Sequence, residues 1–170
     1  MRLSVSERKE FILILRELLT VEQIHEMKQY IQHGSTSTFT HCLIVAYHSY
    51  LLARRLPIGF DTRSIVRGAM LHDFYLYDWH IPDKSHRLHG FYHPGFALKN
   101  ARKHYQLNRI EEDIIEKHMW PLTLHKVPCY RESMLVSLVD KLCSAAEIFR
   151  LPMLPKQYRH LQQLIVKKAL

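Results

Sequence analysis

A histidine and an aspartate stand side by side directly after an apolar run, where the sequence GAMLHD ends at His72 and Asp73. The run belongs to a helical pattern that begins after Asp61, so the doublet falls at the C-terminal end of a helix with a buried face. Burying an imidazole and a carboxylate is costly unless both groups find a partner. A divalent cation satisfies both at once, and the dipole at a helix C-terminus favours positive charge. The doublet therefore predicts a metal centre around which the chain is organised.

Composition fits one globular domain. The chain has 170 residues, of which 47% are hydrophobic and 24% charged, enough for a substantial core. No apolar run approaches the roughly 18 to 20 residues of a membrane span, and the short run at residues 11–15 lacks a signal-peptide pattern. The three cysteines show no CxxC spacing, which favours reduced thiols. These features predict a cytoplasmic protein with no membrane partner.

The net charge of the chain indicates which kinds of molecule it could attract. A net charge of +8 raises the local concentration of phosphate-bearing molecules near the surface. The basic residues are spread along the chain, which is equally typical of an ordinary solvated surface. The charge alone therefore leaves nucleic acid, nucleotides and anionic lipid open as partners.

Helical periodicity and capping residues recur along the whole chain, and we find no strand alternation. Ser4 with Glu7 has the spacing of a capping box, which Thr20 with Gln23 repeats, and the polar turn at residues 35–38 and Asp61 can cap later helices. Pro94 is expected at the first position of a helix. The second helix should direct Ile24, Met27 and Ile31 inward. The predicted segments are 4–19, 20–33, 39–56, 61–73, 94–105, 108–119, 131–149 and a basic amphipathic helix at about 155–168. The chain is therefore expected to be a single-domain, all-α irregular helical bundle over residues 1–170.

Several of these helices carry a histidine or an aspartate in phase with apolar residues. His41 is in phase with Val45, His118 with Ile114, and Asp140 with Val136. Imidazole and carboxylate suit Fe, Mn, Zn and similar ions, and only the carboxylate can bridge two of them. The candidate ligands are His41, His72, Asp73, His93, His118 and Asp140. Six ligands are enough for two ions.

The order of these residues, a histidine, a His-Asp doublet, two separated histidines and a helix-borne aspartate, resembles that of the HD-domain phosphohydrolases. The resemblance extends over about residues 37–149 and implies the all-helical HD-type bundle. It implies one ion held by His41, His72, Asp73 and Asp140, and a second held by Asp73, His93 and His118. The ions are expected to be Fe or Mn, with Zn, Ni, Co and Mg also compatible.

The same resemblance implies a metal-dependent phosphohydrolase that cleaves a phosphoester or phosphoanhydride, with a nucleotide as the expected substrate. Asp73, the shared ligand, is then the central catalytic residue. The chain lacks the GYP signature and the adjacent histidine pair of the cyclic-di-GMP phosphodiesterases. It looks more like the small stand-alone bacterial members, including the branch that splits diadenosine tetraphosphate. Candidates to hold phosphate oxygens are Lys84, Arg87, His89 and Arg131, for each of which a surface role is equally open.

Two other functions stay open at the level of sequence. One is an HD-like module that keeps a structural metal and binds nucleic acid through its basic surface, especially residues 156–168. A structural metal site needs only about four protein ligands, which close its coordination shell. The two additional histidines therefore favour an enzyme. The other is an oxygenase that uses a mixed-valent di-iron pair on a non-phosphate substrate.

Overall fold

A computed structural model describes residues 2–84, 87–149 and 151. These residues fold mainly into helices, which confirms the predicted all-α class. The α-helices are α1 (Val5–Leu18), α2 (Thr38–Ala53), α3 (Thr62–Leu71), α4 (His89–His104), α5 (Arg109–Lys117) and α6 (Arg131–Ile148). A 3-10 helix covers Glu22–Lys28, and two short antiparallel strands, β1 (Ile31–His33) and β2 (Thr36–Ser37), lie between it and α2. No helix in the described ranges is long and apolar enough to cross a membrane.

Side-chain caps begin four of the α-helices, including the predicted caps at Ser4 and Asp61. The cap predicted at Thr20 is wrong, because Val21 precedes the 3-10 helix without a side-chain cap. The Ser4 side chain accepts a hydrogen bond from the Glu7 backbone, and Glu7 accepts one from the Ser4 backbone at 2.7 Å. Asn108 caps α5 with a second capping box. Ser37 and Asp61 cap α2 and α3. Local hydrogen bonding therefore sets where each of these helices starts.

Helix α2 lies at the centre of the fold. It is buried along almost its whole length and packs against α3, α6 and the 3-10 helix, as expected for a helix that is apolar on all sides. Helix α5 packs against α3 and α6. The α3–α5 contact is close because Gly68 faces Ile114: a Cβ atom at residue 68 would lie 2.6 Å from Ile114 Cδ1. This contact brings the C-terminal ends of both helices toward α2.

The prediction of a helix over residues 20–33 is wrong in its second half. Ile24 and Met27 are buried as predicted, but the 3-10 helix ends at Lys28 and Ile31 is 46% exposed on β1. Gly34, with a φ of +58°, makes the turn that pairs β1 with β2. In the extended strand, Gln32 points inward instead of Ile31, because side chains alternate across a strand.

The start of α4 also differs from the prediction. The helix begins at His89, so Pro94 lies in its second turn and not at its first position. Leu88, which precedes the helix, has a left-handed backbone with a φ of 54°. His93 consequently lies on a helix and not at the end of a loop. The predicted basic helix at about 155–168 lies outside the described residues.

Candidate metal centre

The fold brings all six predicted ligands together. They come from five helices: His41 from α2, His93 from α4 and Asp140 from α6, with His72 and His118 as the C-terminal caps of α3 and α5 and Asp73 following directly after His72. All six are buried. They form three overlapping triads, and within each triad the ligand atoms all lie within 4.8 Å of one another. The triads are His41, His72 and Asp73; His72, His118 and Asp140; and Asp73, His93 and His118.

Asp73 lies between two pairs of histidines and presents a different oxygen to each pair. Its Oδ2 atom is 3.3 Å from His72 Nε2 and 3.9 Å from His41 Nε2. Its Oδ1 atom is 3.1 Å from His93 Nε2 and 3.5 Å from His118 Nε2. One carboxylate is therefore oriented toward two separate sets of nitrogen ligands.

Asp140 lies closest to the His41 and His72 pair, and its triad with His72 and His118 also places it near the second pair. Its Oδ1 atom is 3.0 Å from His41 Nε2 and 3.6 Å from His72 Nε2. The arrangement is therefore asymmetric, with two histidines and two carboxylates on one side and two histidines with one shared carboxylate on the other.

The four histidines are held with the same ring nitrogen toward the centre. In each, Nδ1 faces an oxygen acceptor, so the neutral ring carries its proton on Nδ1 and Nε2 is the nitrogen that would bind a metal. The Nδ1 partners are Glu147 Oε2 at 3.1 Å for His41, the Ala69 carbonyl at 2.7 Å for His72, the His89 carbonyl at 2.8 Å for His93 and the Ile115 carbonyl at 2.9 Å for His118.

Several buried atoms of the cluster are placed where they could coordinate a cation. His93 Nε2 and His118 Nε2 are 2.8 Å apart, and both rings keep their proton on Nδ1, so two lone pairs face each other. Among the described residues, His72 Nε2 and Asp73 Oδ1 are buried without a hydrogen-bond partner. Unpaired buried polar atoms are costly, and a divalent ion would coordinate them. The donor set therefore fits transition-metal ions.

The carboxylates of the centre are held in their anionic form. Burial alone would raise the pKa of Asp73, but the positive charge of His72 and the neighbouring imidazoles hold it well below its usual range. Burial likewise opposes ionisation of Asp140, and its contacts with His41 and His72 outweigh that effect and keep its pKa low. Both groups are thus in the state that binds a cation.

The histidines divide into two kinds. Burial lowers the pKa of His118 to about 4, so its imidazole is neutral at pH 7. Burial also disfavours the charged form of His41, but hydrogen bonds to Asp140 and Glu147 raise its pKa to about 10. The charge of Asp73 similarly raises the pKa of His72 well above its usual range against the effect of burial. Metal binding at Nε2 of these last two residues would release protons.

A cavity of about 610 Å³ opens onto one side of the centre. It reaches Asp73, His93, His118 and Asp140, and its outer wall includes Trp79, Leu88 and His89. A second cavity of about 420 Å³ shares these three outer residues and is lined by Lys84 and Arg87. Of the four predicted substrate-binding residues, His89 therefore lines the cavity that reaches the centre, while Lys84 and Arg87 line the adjoining cavity.

The structure does not bring Arg131 to this cavity. The Arg131 guanidinium donates to the carbonyl of Gly59, lies 3.3 Å from Glu132 Oε1 and sits 5.6 Å from the centre of the Phe60 ring. It lines a separate cavity at the N-terminal end of α6. Its contacts are those of a residue that connects α6 to the loop before α3.

Sequence reasoning missed three residues around the ligands. Gln32 donates to Asp73 Oδ2 at 2.7 Å. Lys141 donates to the His118 carbonyl and lies 3.3 Å from Asp140 Oδ2. Glu147 supports His41, as described above. Helical spacing could have identified Glu147, which follows Asp140 by about two turns, whereas nothing in the sequence pattern indicates Gln32.

No protein-family model, curated protein or solved structure matches this chain. Its function therefore has to be argued from the geometry of the centre and its cavity.

Proposed function

We propose that this chain is a metal-dependent phosphohydrolase of the HD-domain type, which cleaves a phosphoester or phosphoanhydride, with a nucleotide as the expected substrate. The observation that carries the proposal is the division of the two Asp73 oxygens between two pairs of histidines. A carboxylate in that position can bridge two ions, and paired ions are typical of enzymes that hydrolyse phosphate bonds.

The residues would hold the two ions as follows. His41, His72, Asp140 and Asp73 Oδ2 would bind the first, and His93, His118 and Asp73 Oδ1 the second. When bound, such ions lower the pKa of a water molecule and neutralise phosphoryl oxygens as charge develops. Fe and Mn suit this mixed donor set, and Zn, Ni, Co and Mg are alternatives.

The cavity supports an enzyme more than a purely structural metal. Structural sites are usually closed on all sides, while catalytic ones keep positions open to water and substrate. Here Asp73, His93, His118 and Asp140 all border the 610 Å³ cavity, which is of the size that accepts a small organic ligand.

Charged residues in and beside the cavity suit a phosphorylated substrate. Lys141 lines the cavity next to Asp140, where its ammonium group would attract phosphoryl oxygens. Lys84 and Arg87 line the adjoining cavity and would bind the remaining part of the substrate. An extended molecule with more than one anionic group, such as a nucleoside polyphosphate, matches this distribution of charge.

The test is phosphate release by the purified protein from a panel of nucleotides and dinucleoside polyphosphates, with Mn²⁺ or Fe²⁺ supplied. We expect turnover that disappears with a chelator and returns with metal. Arg87→Gln should raise KM, and the matched variant Arg131→Gln should not, because Arg131 lies at a separate cavity. Absence of turnover with every metal would overturn the proposal. Binding of nucleic acid by that inactive protein would then favour the binding module.

A further inference from the structure

A buried network of polar side chains connects Asp73 to two other segments of the chain. Gln32 on β1 donates from Nε2 to Asp73 Oδ2 at 2.7 Å. The side-chain amide oxygen of Gln32, Oε1, lies next to the hydroxyl groups of Tyr75 and Thr38. All four residues are buried, with at most 7% of the surface of any of them exposed.

These hydroxyl groups fix the orientation of the Gln32 amide. Tyr75 donates to Gln32 Oε1, and the Thr38 hydroxyl is 3.3 Å from the same atom. A flipped amide would direct its NH₂ group at these donors and its oxygen at the Asp73 carboxylate. The side-chain NH₂ group of Gln32 is therefore oriented to donate to Asp73.

This hydrogen bond makes the two oxygens of Asp73 different. Oδ2 accepts a hydrogen bond from Gln32 and also faces His72 and His41, so one of its lone pairs is already occupied by a hydrogen bond. Oδ1 faces His93 and His118. Rotation of the carboxylate to direct both oxygens at one ion would break the Gln32 hydrogen bond in a buried site, which is costly.

We propose that Gln32 is a positioning residue that holds the Asp73 carboxylate in the bridging orientation, so that the chain binds two metal ions and not one. Gln32 acts through Asp73 and does not border the metals itself as a ligand. The inference rests on the metal centre of the proposed function but is independent of which reaction that centre catalyses.

The experiment is a Mn²⁺ titration of the full chain, with free Mn²⁺ followed by electron paramagnetic resonance. Wild type should bind two ions per chain. Gln32→Leu should bind one of them about 10- to 100-fold more weakly, which is the effect typical of losing a residue that orients a ligand. Gln29→Leu, the same substitution at an exposed position, should match wild type. Two ions bound by Gln32→Leu with wild-type affinity would overturn the inference.

A second variant keeps the test valid if Leu at position 32 prevents folding, as judged by circular dichroism. Tyr75→Phe retains Gln32 but removes the donor that orients its amide, and it should weaken the same ion by a smaller factor. If Tyr75→Phe binds both ions with wild-type affinity, the inference is overturned. Where Gln32→Leu does fold, Tyr75→Phe should add nothing to it in the double variant, and additive effects would contradict an action through Gln32.

The titration uses no substrate, so the two proposals can fail separately. A wild-type chain that binds two Mn²⁺ ions and hydrolyses no phosphate compound would refute the proposed function and leave the role of Gln32 intact. A wild-type chain that binds fewer than two ions would refute the role of Gln32.

Discussion

Replacing a helical glycine by alanine should have opposite effects at two positions of this fold. Alanine in a helix interior is normally more stable than glycine by about 1 kcal/mol. Gly95 on α4 is exposed, and a Cβ atom there would meet nothing within 4 Å. Gly95→Ala should therefore stabilise the protein by about 1 kcal/mol.

At Gly68 the same substitution should be destabilising. Its new Cβ atom would lie 2.6 Å from Ile114 Cδ1 and 2.9 Å from Ile114 Cβ, distances that force α3 and α5 apart. Overpacking of this kind costs about 1 to 3 kcal/mol, which exceeds the helical gain, so a net loss of roughly 1 kcal/mol is expected for Gly68→Ala. The two variants should then differ by about 2 kcal/mol, or roughly 4 to 8 °C in Tm for a chain of this length.

Urea and thermal unfolding of the metal-free variants provide the measurement, with a Mn²⁺ titration in parallel. Since α3 ends at His72 and α5 at His118, whose rings are 4.7 Å apart, separating these helices should also weaken metal binding by Gly68→Ala. Gly95→Ala serves as the matched control and should bind Mn²⁺ as wild type does. A Gly68→Ala protein as stable as Gly95→Ala would refute the close α3–α5 packing.

Three further substitutions test the metal centre and the fold. Asp73→Ala should abolish both metal binding and hydrolysis because it removes the shared ligand, and an active variant with two ions by elemental analysis would contradict this. Glu147→Gln should weaken the ion held by His41 about 10-fold, so an unchanged Mn²⁺ affinity would count against the role of Glu147. Hydrogen bonds from Arg55 lower the pKa of Glu7 from 4.5 to about 2. The ionised Glu7 should therefore contribute stability that is fully present above about pH 4.5 and lost as the pH falls toward 2, by about 1 kcal/mol for a partly exposed pair. In urea unfolding at pH 6 and pH 3, Glu7→Gln should lose this component of the pH dependence, and an unchanged dependence would contradict it.

Much of the candidate metal centre could be predicted from the sequence because its six residues lie on helices or directly after helix ends. The period of a helix determines which positions share the buried face, so His41, His118 and Asp140 could be identified as polar residues among apolar ones. The caps at Asp61 and Asn108 set the starts of α3 and α5, whose C-caps, His72 and His118, lie at the centre. Local rules are therefore enough to predict most of the ligand set.

Features that depend on contacts between distant segments could not be predicted. Gln32 reaches Asp73 only because residues 31–33 form a strand, and three residues are too few to show alternation in the sequence. Arg131 begins the helix that carries Asp140, but the two residues are nine positions apart, which corresponds to about 13.5 Å along the helix. Residues on one helix do not necessarily share one site.

The measurement that most directly tests the dinuclear centre is a crystal structure of the Mn²⁺-loaded protein with anomalous scattering recorded at the manganese edge. We predict two anomalous peaks on either side of the Asp73 carboxylate, separated by roughly 3.5 to 4 Å. One should lie among His41, His72 and Asp140, and the other beside His93 and His118. A single peak, or peaks away from Asp73, would contradict the dinuclear centre.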